Sequence, residues 1–189
     1  MNKRYIKHNL YSYLLFTIIL MTALLESVNA QTKQDSSILY TATKMHIFSS
    51  EKYEDLFQIT LNGKDTLNGV ITFQIITKNS KIIYKEKFPS IDLIGYGLVA
   101  DNVNKITHKD SCDYILERMN KFFIDENFFS PAVDKGEAFD PEESDKKIWN
   151  DIASDTTAIG FYYLVGEENN RQIAFSKKTA KVVVYRSYD

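Results

Sequence analysis

Phe57, Ile59 and Leu61 alternate with polar neighbours, and Ile71, Phe73 and Ile75 repeat the alternation further along the chain. Side chains of an extended backbone point alternately to opposite faces, so both segments predict half-buried β-strands. Asn62-Gly63 and Asn68-Gly69 tolerate positive φ and mark reversals, while Lys78-Asn79-Ser80-Lys81 separates the third run from Ile82 to Phe88. Residues 38–88 therefore predict a four-stranded antiparallel meander.

The period then becomes helical. Cys112, Ile115, Leu116, Met119, Phe122 and Phe123 recur at three- and four-residue steps and form one apolar stripe. Asp110 or Ser111 can cap this helix, with Glu117, Arg118, Asn120 and Lys121 on its wet face. A second, shorter helix is expected from Asp140-Pro141-Glu142-Glu143, where Asp140 caps, Pro141 is preorganised and the glutamates suit the helix dipole. Ile148, Trp149, Ile152 and Ala153 would then face inward.

Strand periodicity returns with Ile159, Phe161, Tyr163 and Val165 on one face, followed by Ile173 and Phe175, then Val182 and Val184. Turns at residues 166–170 and at Lys177-Lys178-Thr179 make this a three-stranded meander. Strands, then helices, then strands predict an α+β domain over residues 38–189. Its antiparallel sheet would combine the four-stranded and three-stranded meanders, with both helices on one face.

Two connections are long for a compact domain, Pro89 to Lys109 and Asp125 to Phe139. Both are rich in apolar residues and must fold onto something, either as lids over the sheet or as a recognition surface. Tyr96, Phe128, Phe129 and Phe139 are the candidate partner-binding residues on the second reading.

The N-terminus changes the picture of where the domain works. Lys3, Arg4 and Lys7 precede an apolar run from Leu14 to Leu25, and Val28-Asn29-Ala30 places small side chains at a cleavage position. Residues 1–30 thus read as a signal peptide, with Gln31 as the mature N-terminus and 31–37 as a flexible lead-in. The run is shorter than the ~20 apolar residues that span a bilayer, so the membrane is met only through this segment before cleavage. Export to the periplasm, cell surface or medium is expected. The single cysteine, Cys112, is far from the cleavage point, which excludes a lipoprotein and any disulfide within the chain.

Loss of residues 1–30 takes the chain from 23 basic and 25 acidic residues to 20 and 24, a net charge of −4. Lysines cluster around the hairpins at 78–87 and 177–186, but an acidic exported domain is a poor nucleic-acid binder, and strand lysines also protect sheet edges. The mature length suffices for one packed core without a metal or disulfide staple.

Candidate chemistry is sparse. Cys112 opens the apolar stripe and reads as a small buried hydrophobe rather than a nucleophile. His46 sits in a strand-like stretch, and His108 precedes the first helix with Asp101 and Asp110 near in sequence. No H-E-x-x-H, C-x-x-C or phosphate-loop spacing occurs, so no cofactor and no metal are expected. The acidic residues from Asp125 to Asp145 could in principle collect calcium or act as an acid–base pair, but lack EF-hand spacing.

The layout of signal segment, meander, amphipathic helix, acidic loop and closing Ile173 to Tyr185 segment, IAFSKKTAKVVVY, resembles small exported proteins of unknown function from Bacteroidota. The resemblance implies bacterial origin and export, and brings no catalytic residues. Two functions remain open. One is a non-catalytic binding domain of the cell envelope, for example an inhibitor or immunity-type partner, acting on a protein or envelope ligand. The other is an envelope hydrolase using His108 with carboxylates such as Asp110 or Asp134.

Overall fold

Side-chain parity organises the first half of the chain. The computed structural model describes residues 37–98, 106–166 and 169–188. The signal segment and most of the lead-in expected at 31–37 lie outside them. Strands β1 (Ile38–Ile47), β2 (Glu54–Asn62), β3 (Val70–Ile76) and β4 (Ile82–Pro89) form an antiparallel sheet in that order, matching the expected meander. Phe57, Ile59 and Leu61 on β2 pair with Ile75, Phe73 and Ile71 on β3, and all six are fully buried. Each such side chain contributes about 1.5–3 kcal/mol relative to exposure. The two Asn-Gly signals fall within one β2–β3 connection, tied down where Gly63 N–H donates to the Ser37 carbonyl and Ser90 N–H to the Gly69 carbonyl.

Helix α1 (His108–Asn120) is capped three residues before Asp110 and four before Ser111, the expected caps. Thr107 caps it, accepting from Asp110 N–H, while the Asp110 carboxylate accepts from Thr107 N–H. This reciprocal pairing satisfies two donors at once and so outcompetes a single cap. Ile115 and Met119 are fully buried, and Phe122 and Phe123 continue the stripe just past the helix.

The sheet expected to combine four and three strands is two four-stranded sheets. The second runs β5 (Phe128–Phe129), β6 (Gly160–Leu164), β7 (Asn170–Ser176) and β8 (Lys181–Tyr188), all antiparallel neighbours. Two residues are too few to show a period, so β5 has no signature of its own.

Nor do the helices share one core. The larger core joins the inner faces of both sheets, including Phe57, Phe73, Phe161, Tyr163 and Ile173, with Ile115 and Met119 of α1. The smaller core packs Ala174 and Tyr185, on the other side of the second sheet, against Trp149 and Ile152 of α2 (Lys146–Ala153). That helix starts later than Asp140 because Asp145 accepts from both Lys147 and Ile148 N–H, the firmer cap, whereas Asp140 only closes a turn onto Glu142. Ala153 faces solvent. No helix among the described residues is long and apolar enough to cross a membrane.

Candidate functional site

Of the aromatic residues proposed for recognition, Phe128, Phe129 and Phe139 each pack against neighbouring side chains. Phe128 is half-buried, stacks on His46 at 4.0 Å and meets Phe57 and Phe161 at ring distances of 5.0 and 4.6 Å. Phe129 covers Gly160 so closely that a Cβ there would lie 2.4 Å from its ring. Phe139 belongs with Trp149 in the smaller core, its ring 6.3 Å away. Tyr96 lies in a short 3-10 turn, Gly95–Gly97, and its side chain is outside the described part. Phe128 and Phe139 therefore serve different cores.

Exposed apolar side chains collect instead on the outer face of the first sheet. Register places Met45, Leu56, Ile76 and Ile82 in one row across all four strands. Met45 is 50% exposed and Ile82 48%, while neighbouring Ile47 is 40% exposed. The next rows are polar: Thr43, Gln58, Gln74 and Lys85, then Thr41, Thr60, Thr72 and Lys87. Gln74 donates to Gln58 at 2.6 Å, which holds the middle of the face in a fixed geometry. The outer face thus carries one apolar row bordered by uncharged donors and acceptors, with two lysines along β4.

The histidines have separate settings. His46 is engaged with Phe128, beside an ion pair between Lys44 and Asp125. Asp125 is held below the usual carboxylate range by the hydrogen bond from Lys44 and by its charge. His108, on the first turn of α1, lies with Nε2 3.4 Å from Asp65 Oδ1. Cys112, half-buried one turn further on, has its Sγ 3.6 Å from His108 Nδ1 and 4.0 Å from Nε2. A sulfur nearly equidistant from both ring nitrogens lies on the lone-pair axis of neither. No thiol–imidazole hydrogen bond of the kind that activates a nucleophile is lined up here.

Asp65 was not a sequence candidate, because only folding brings the β2–β3 connection to α1. Burial pushes its carboxyl upward, but hydrogen bonds from the Asn68 side chain and backbone, with the charge of His108, outweigh this and leave it below the ordinary range. Asp110 is also lowered, first by the Thr107 backbone hydrogen bond and then by that of its side chain. Its carboxylate is thus committed to the helix cap. Asp134 lies away on the lining of a cavity formed with Phe129, Glu137, Gln172 and Arg186.

Four further carboxylates of the acidic stretch serve separate tasks. Glu137 and Glu143 pair with Arg186 at 2.6 and 3.2 Å, and the Arg186 guanidinium lies 4.8 Å from the Trp149 ring centre. Asp140 and Asp145 accept backbone hydrogen bonds at turn and helix cap. No family model, curated protein or solved structure matches the chain.

Proposed function

We propose that the chain is an exported, non-catalytic interaction domain of a bacterial cell envelope, and that it meets a protein partner through the outer face of its first sheet. The observation that carries this reading is the row Met45, Leu56, Ile76 and Ile82, with large apolar side chains half in water at both ends. Lys85 and Lys87 continue the neighbouring rows and favour a partner that presents carboxylates beside an apolar ridge. The N-terminal charge, apolar run and Val28-Asn29-Ala30 pattern support export. The hydrolase alternative is less well supported, since the Asp110 carboxylate is held in the helix cap and Asp134 lines a separate cavity with Phe129, Glu137 and Arg186.

A photoreactive residue at Thr43 or Gln58 tests the reading in the producing cell. The expected result is a discrete protein adduct from both positions and none from Lys109 on α1, an exposed site elsewhere. Adducts of equal yield at Lys109, or none from the sheet face, would contradict it.

A further inference from the structure

We infer that Asp65, His108 and Cys112 form a binding site for a borderline-soft divalent cation of the zinc class. One carboxylate oxygen, one imidazole nitrogen and one sulfur lie within 4.8 Å of one another, drawn from two elements remote in sequence. His108 and Cys112 are four residues apart on α1, so the helix itself brings both donors to one face. The set mixes a soft thiolate with imidazole and carboxylate, which suits zinc and its neighbours rather than calcium or magnesium.

The carboxylate is already oriented. Asp65 Oδ2 accepts from Asn68 N–H at 3.2 Å and from its side-chain amide at 2.7 Å, leaving Oδ1 turned toward His108. Such outer hydrogen bonds fix a ligand's direction and are a regular feature of metal sites. Zinc bonds of about 2.0–2.3 Å in a tetrahedron leave ligand atoms about 3.4–3.6 Å apart. Here Oδ1 and Sγ are 3.4 and 4.0 Å from Nε2. Rotation of the imidazole, which is 62% exposed, adjusts the Nε2 distances, and small turns of the Asp65 and Cys112 side chains would bring Oδ1 and Sγ, now within 4.8 Å of each other, to the same spacing. A surface His–Asp pair alone contributes little and needs no thiol beside it. Helix register already places His108 beside Cys112, and a metal would give a common role to that pair and the Asp65 carboxylate oriented toward it.

Three protein ligands leave a fourth position for water or an external donor. The bound ion would tie the β2–β3 connection to the start of α1. This inference is independent of the proposed sheet-face interaction.

Titration of the untagged protein with cobalt(II), followed by displacement with zinc, tests it. The expected result is a thiolate-to-cobalt charge-transfer band and tetrahedral d–d bands at micromolar metal, both removed by zinc. Cys112→Ser should lose the charge-transfer band, and Asp65→Asn and His108→Gln the tetrahedral spectrum. Asn68→Ala should keep the band with affinity lowered about 10- to 100-fold. Because His108 is exposed and Asp65 half-exposed, their variants should melt with wild type in metal-free buffer, which keeps the test valid should Cys112→Ser fold poorly. Bands that appear only at millimolar metal, or unchanged affinity in His108→Gln, would overturn the inference.

Discussion

Tyr163 carries the polar contact between the two sheets. Its hydroxyl donates to Glu86 Oε2 and lies 2.6 Å from that of Tyr84, whose single proton serves either that contact or the longer one, 3.2 Å, to the same carboxylate oxygen; the other Glu86 oxygen is 3.5 Å from Arg171 Nε. Burial is the main cause that pushes Tyr163, Tyr84 and Tyr185 above their ordinary value of 10.0. A folded-state value above the unfolded one means stability that is intact below about pH 10 and lost as pH rises beyond it, because unfolding then releases the phenolic protons. With three such groups, the fall in stability should begin near pH 10 and steepen toward a limit of about 4 kcal/mol per pH unit well above it. Urea unfolding across that range checks this. Tyr163→Phe should reduce the slope by roughly a third and cost about 1–3 kcal/mol near neutral pH, since Glu86 loses a buried donor. Stability that stays level through pH 10 would show that the tyrosines are not buried as described.

At the scale of elements, β5 decides how the second sheet ends. Phe128 and Phe129 pair with Phe161 and Gly160, and the Phe129 ring occupies the space where residue 160 would carry a side chain. Gly160→Ala should therefore cost about 1–3 kcal/mol through overpacking. Combined with Phe129→Ala, which vacates that space, the same change should cost much less, so a double-mutant cycle in urea should return a coupling of at least about 0.5 kcal/mol. Strict additivity would place the ring elsewhere. The strands of the first sheet were legible because one buried face imposes period two on β2 and β3. The burial of the second sheet on both faces had a trace in the unbroken run Val182-Val183-Val184-Tyr185, since Val182 and Val184 pack on the larger core and Val183 and Tyr185 on the smaller. β5 left no trace, being two residues inside a connection whose aromatics suggested a lid over the sheet or a recognition surface. His108 and Cys112 share a helix face only because Thr107 caps α1, whereas a cap at Asp110 or Ser111 leaves His108 outside the helix, and Asp65 reaches them only through the β2–β3 connection, a tertiary relation that periodicity does not encode.

On the scale of the whole molecule, the two sheets differ in what covers them. The second packs one side on the shared core and the other on α2, whereas the first is buried on one side and carries its row of exposed apolar residues on the other. An antiparallel sheet wet on one face ordinarily alternates apolar-in with polar-out, and the Thr and Gln rows obey that rule. The Met45 to Ile82 row does not, and it is this departure that the interaction proposal explains. Side chains half in water hold little of the fold together, so charge placed there should separate binding from stability. The most direct measurement compares the thermal melt and the partner cross-linking of the double variant Met45→Glu, Ile82→Lys with those of Phe128→Ala. The double variant should stay within about 0.5 kcal/mol of wild type and lose the cross-link, while Phe128→Ala, which removes a ring packed on Phe57 and Phe161, should lose about 3 kcal/mol. A charged sheet face that still cross-links as wild type would contradict the account.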